Sequence, residues 1–163
     1  MDIRTRADYD HGPNEVFAVL TDPDFVAATV NQMSVGGQSH QVTTRGDHTV
    51  VTTRRTLPTD DLPDVAKKFA GPVLILDEVQ DWGPAGPDGA RHGTVTLRID
   101  GVPVALTGTL DLTPSAKGAT QEVRADLKAK VPLIGGTIEK AAAPAIIAGI
   151  DAVAEMAKER LHG

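Results

Sequence analysis

A chain of 163 residues fits one domain, and a domain of that size buries roughly 70% of the surface its unfolded chain exposes. A composition of 40% hydrophobic and 23% charged residues is globular, and the absence of cysteine excludes disulfides, thiol catalysis and thiolate metal sites. The net charge of −6 argues against a nucleic-acid partner, and there is no apolar run of about 18 residues to insert into a membrane.

Met1-Asp2-Ile3-Arg4 is charged and then alternating, unlike a signal peptide, and with no cysteine the expected location is cytoplasmic. Residues 3–9 set Ile3, Thr5, Ala7 and Tyr9 against Arg4, Arg6 and Asp8, the pattern of a half-buried strand. Pro13 then opens a short helix with Val16, Phe17 and Leu20 on its apolar side. Asp22-Pro23 is a second start signal, an N-cap followed by proline, and Phe25, Val26 and Val30 form the buried side of the helix it begins.

From 33 to about 131 the chain reads as strands and turns. Gly46-Asp47 closes a hairpin between 39–45 and 48–57, which also accounts for the tripeptide Arg45-Gly46-Asp47. Residues 58–72 are a connection with a helical turn or two over Leu62–Phe69. A strand over 73–82 is followed by the turn-rich loop 83–89. Val95, Leu97 and Ile99, then Val104, Leu106, Gly108, Leu110 and Leu112, then Val123, Ala125, Leu127, Ala129 and Val131 give three strands with one dry face. Residues 137–161 carry a broad apolar stripe and form a helix, with no charge from Ala141 to Ile150. Pro144 is expected to kink that helix or to delay its start to about 143.

Strand 73–82 is unusual because neither phase is wholly apolar. Its even residues include Glu78 and Trp82; its odd ones include Asp77 and Val79. Either choice turns a carboxylate inward, at a cost unless it is paired or wet. The preceding strand offers Arg54 or Arg55 as the partner. Alternatively, the strand twists and both charges reach water.

The five histidines have no metal-binding spacing, and Ser34, Ser39 and Ser115 occupy no nucleophile elbow. Gly36-Gly37 and Gly135-Gly136 are backbone punctuation rather than a phosphate loop. No catalytic residue, metal or cofactor is therefore assigned.

The run Tyr9-Asp10-His11-Gly12-Pro13-Asn14-Glu15-Val16-Phe17 through Leu20-Thr21-Asp22-Pro23-Asp24-Phe25 resembles the opening of the START-like, or helix-grip, superfamily of lipid-transfer domains and polyketide cyclases. Lys130-Val131-Pro132-Leu133-Ile134-Gly135-Gly136-Thr137-Ile138-Glu139 resembles the strand-to-helix junction of a bacterial branch known only as a domain of unknown function. The resemblance spans residues 1–163 as a single domain. It implies an α+β fold with a strand, two short helices, about six further antiparallel strands, and a long C-terminal helix in the grip of a curved sheet.

It also implies a pocket between sheet and helix. Its expected lining is Leu97, Leu106, Gly108, Leu110, Ala125 and Leu127 on the sheet and Ala142, Ile146, Gly149 and Val153 on the helix, with Glu78, Arg54 or Arg55, and Trp82 at one wall. The same small residues would equally let a helix sit close on a filled core. Three functions follow: binding of an apolar small molecule or lipid without membrane insertion, which is the leading one; a cyclase- or dehydratase-type enzyme using the carboxylate and arginine; and a protein-interaction domain with a filled core. Each is compatible with a homodimer.

Overall fold

The alternation at the N-terminus is a strand, β1 (Asp2–Tyr9), with Ile3 and Tyr9 buried. It leads into α1 (Pro13–Leu20) and α2 (Pro23–Gln32), both started by proline as expected. The Asp22 carboxylate accepts the Phe25 N–H at 3.2 Å and so caps α2. The apolar faces of the two helices carry Val16, Phe17, Leu20, Phe25, Val26 and Val30 into the interior.

The chain then makes a meander of β2 (Ser39–Arg45), β3 (His48–Pro58), β4 (Val73–Trp82), β5 (Arg91–Ile99), β6 (Val104–Ser115) and β7 (Gly118–Ala129). The last element is α4 (Gly135–His162). The computed structural model describes residues 1–60, 62, 64–68 and 70–163, without the side chains of 65 and 66. A short helix, α3 (Asp64–Lys67), lies in the 58–72 connection; residues 63 and 69 of the expected helical turns fall outside the described residues.

The seven strands form one antiparallel sheet in the order β1-β7-β6-β5-β4-β3-β2. Two glycines lie where β5 and β6 approach their neighbours most closely. A Cβ at Gly93 would stand 2.4 Å from the Asp81 carbonyl oxygen, and one at Gly108 would stand 2.2 Å from that of Arg124. Gly93 pairs with Leu110 and Gly108 with Val95, so the two glycines are diagonal neighbours on adjacent strands.

Two sequence expectations are corrected. The last strand ends at Ala129, short of Val131, because Lys130 N–H turns to the Pro103 carbonyl and the Val131 carbonyl receives Gly135 N–H at 2.9 Å. The long helix begins at Gly135 and runs through Pro144 rather than starting near it. Pro144 deprives the Lys140 carbonyl of its helical donor, and both residues are on the exposed side of the helix.

Tyr9 is the only tyrosine in the chain and is fully buried, its hydroxyl donating to Gln121 Oε1 at 2.7 Å. Burial, reinforced by the Glu155 charge, keeps the phenol protonated well above its ordinary value of 10.0. The unfolded chain loses that proton near its ordinary value while the native chain keeps it, so stability is full below about pH 10 and falls above it. Phenolate absorbance is therefore expected to appear together with loss of the circular dichroism signal. Phenolate in a chain with native circular dichroism would contradict this burial.

Candidate functional site

The register of β3 against β4 sets Thr53 opposite Glu78 and Arg55 opposite Leu76. Val51, Leu76 and Trp82 are buried, which fixes the odd residues of β3 and the even residues of β4 on the inner face. The ambiguous strand thus turns Glu78 inward and Asp77 outward. Arg54 follows Asp77 to the outer face, where its Nη1 donates to both Asp77 oxygens at 2.8 and 2.9 Å. Arg55 follows Glu78, and its Nη2 donates to Glu78 Oε1 at 3.4 Å.

Both inner groups are largely removed from water, with side-chain exposures of 11% for Arg55 and 18% for Glu78. The carboxylate is held from two sides. Gln80 Nε2 donates to Glu78 Oε2 at 3.1 Å, and Trp82 Nε1 donates in turn to Gln80 Oε1 at 3.2 Å. Trp82 is fully buried and meets the Phe17 ring edge-on, so one end of this relay is anchored in the core. Arg55 is less well served. Its Nη1 reaches the Met33 sulfur at 3.9 Å, and its buried Nε has no partner among the described residues.

This polar wall borders a cavity of about 160 Å³ between the sheet, α2 and α4. An apolar cavity of roughly 150 Å³ is large enough to admit benzene. The floor is Leu76, Val95, Leu97, Leu106, Leu110 and Val123. Val26 and Val30 from α2, Met33 at its C-cap, and Ile146, Gly149, Ile150 and Val153 from α4 close the top. Exposed Arg6 and Asp151 border the β1 side.

Of the residues expected at a pocket, Glu78, Arg55, Leu97, Leu106, Leu110, Ile146, Gly149 and Val153 meet at this cavity, and six do not. Arg54 is on the outer face. Trp82 lies behind Gln80. Gly108 offers no space, because the backbone of Ala125 and Arg124 takes the place of its side chain. Ala125 and Leu127 are buried against neighbouring core, and Ala142 packs one turn before the cavity begins on α4. Thr53, Gln80, Gln121 and Met33 also line the cavity, and no sequence signal singles them out as a group. Thr53 and Gln80 are within reach of sequence reasoning, being two residues from Arg55 and Glu78 on the same strand faces. Gln121 and Met33 depend on tertiary packing.

Elsewhere, His48 pairs with Asp81 and His92 with Asp111 on the outer face. No group of three or more metal-ligating side chains occurs among the described residues, and no described helix is long and apolar enough to cross a membrane.

A sheet curved over a long C-terminal helix, with two short helices after the first strand, defines a helix-grip fold. The chain belongs to the family described as "protein of unknown function (DUF2505)", whose profile matches residues 4–161. A search of functionally curated proteins finds no match. Among solved structures, the protein TTHA0849 from Thermus thermophilus is similar at 14% identity and a TM-score of 0.63, over 98% of this chain and 96% of that one. A STAR-related lipid transfer protein fragment from Xanthomonas axonopodis is similar at 15% identity and a TM-score of 0.62, over 99% and 86%. Norcoclaurine synthase from Thalictrum flavum is similar at 12% identity and a TM-score of 0.57, over 99% and 86%. At these identities the likeness is one of fold.

Proposed function

We propose that this protein binds a small amphiphile, with its apolar body in the cavity beneath α4 and its polar end against Arg55 and Glu78. The observation that carries this reading is the arrangement of the cavity: a largely aliphatic floor and roof, with the buried Arg55–Glu78–Gln80 relay along the β3–β4 wall and the more exposed Arg6 and Asp151 at the β1 side. Burial of ligand surface supplies about 25 cal/mol per Å², and the polar wall sets orientation. The volume of about 160 Å³ favours a molecule the size of one ring. A two-chain lipid is several times larger and would require α4 to move away from the sheet. The fold neighbours, a lipid-transfer fragment and a synthase, are compatible with a binding cavity in this place. The cavity also favours binding over a filled-core interaction domain.

Gly149 provides the test. A Cβ there would meet only the Met33 methyl, at an ordinary 3.5 Å. Gly149→Ala is therefore expected to leave the cavity open and to stabilise α4 by about 1 kcal/mol through helix propensity. Gly149→Leu is expected to fill the cavity. Indole at ten times its Kd should raise the melting temperature of the wild type and of Gly149→Ala by about 3–6 °C. It should leave Gly149→Leu unmoved. Equal shifts in all three proteins would place the binding elsewhere.

A further inference from the structure

We infer that the ligand presents a neutral hydrogen-bond acceptor, a carbonyl oxygen, to Arg55, rather than a charged head. The inference rests on the cavity taking a ligand at all, and adds what its polar end must be.

The argument is a count of donors and charges at the wall. A guanidinium carries five N–H donors and accepts nothing. Among the described residues, Arg55 has one donor on Glu78 at 3.4 Å, one on a thioether at 3.9 Å, and none on any partner from Nε. Ordinary charge-assisted bonds from arginine to a carboxylate are about 2.7–2.9 Å. Arg54, the adjacent residue, meets that standard on the wet face with two bonds to Asp77 at 2.8 and 2.9 Å. The chain thus makes a close pair where water would forgive a poor one, and a loose pair where unmet donors cost most. The buried guanidinium has spare donor capacity at the edge of a cavity, and an incoming acceptor would use it.

Charge decides the kind of acceptor. Arg55 and Glu78 already balance, so a carboxylate head at this wall would bring an uncompensated charge beside the Glu78 carboxylate. An ammonium would likewise bring an uncompensated charge, positive in this case. A ketone or ester oxygen meets neither obstacle. Hydrogen bonds to charged groups are the stronger kind, and the floor of Leu97, Leu106 and Leu110 offers no polar group to compete for the acceptor.

Matched one-ring probes separate these cases. Acetophenone and ethylbenzene differ by a carbonyl oxygen in place of two hydrogens, and benzoate carries the charge. Calorimetric titration at pH 7 is expected to give a Kd for acetophenone about tenfold or more below those of ethylbenzene and benzoate. Since Arg55→Met alone leaves Glu78 unpaired and risks misfolding, the comparison uses the double variant Arg55→Met with Glu78→Leu. In that variant acetophenone and ethylbenzene should bind alike. Equal binding of the two in the wild type would overturn the carbonyl inference and leave the cavity as a purely apolar site. Tightest binding of benzoate would overturn the neutrality argument. A preference for acetophenone that survives in the double variant would overturn the role of Arg55. No binding of any probe to the wild type would overturn both this inference and the binding function it rests on.

Discussion

Replacing Glu78 by leucine is expected to destabilise the fold by about 3 kcal/mol, because it strands the Arg55 guanidinium among apolar side chains. Breaking one side of a buried pair generally costs about 3–5 kcal/mol. The lower end applies here, since Arg55 and Glu78 approach only to 3.4 Å and Glu78 keeps 18% of its side chain exposed. Adding Arg55→Met should restore most of the loss, because the pair is then replaced by packed apolar groups and no charge is left alone. Urea unfolding of the two single variants and the double gives the coupling directly. A neutral Glu78→Leu would mean that water reaches Arg55 freely, and the polar wall would then be solvent rather than part of a dry site.

Gly108→Val is expected to lose about 3 kcal/mol or more, the upper end of what overpacking costs. Strand propensity alone argues the reverse, since valine is favoured in strands on a scale spanning about 1 kcal/mol. Sterics decide it: the new Cβ would stand 2.2 Å from the Arg124 carbonyl oxygen and 2.5 Å from the Ala125 Cα. These are backbone atoms of the paired strand in the middle of the sheet, and they yield only if β6 and β7 separate. Gly136→Ala is the control, because a Cβ there meets nothing within 4 Å. Chemical denaturation of both variants checks the contrast. A Gly108→Val protein as stable as the wild type would show that β6 and β7 can part at this point without cost.

The architecture was legible from alternation and punctuation. β1, the β2–β3 hairpin and β4 fall close to where residues 3–9, Gly46-Asp47 and 73–82 place them, because β1 alternates cleanly and turn residues bound the other strands. The phase of β4 was not legible, since Leu74 and Trp82 argue for one face and Val73 and Val79 for the other. Only pairing with β3, whose Val51 is buried, turns Glu78 inward. Small residues were the weakest guide. Gly149 borders open space, whereas Gly108 marks the place where two strands nearly touch, and composition treats the two alike. The polar wall itself was half visible. Glu78 and Arg55 could be named because charge stands out on an inward phase, while Gln80 and Thr53 read as ordinary strand residues until the wall was assembled.

The central claim is that the space between the sheet and α4 is a ligand site and not a filled core. Its most direct test is a crystal structure of the wild-type protein soaked with bromobenzene, in which the anomalous signal of bromine locates the molecule without assumption. A bromine peak among Leu97, Leu106, Ile146 and Val153 is the expected result. A well-ordered interior with those four side chains in mutual contact, and no bromine inside, would contradict it.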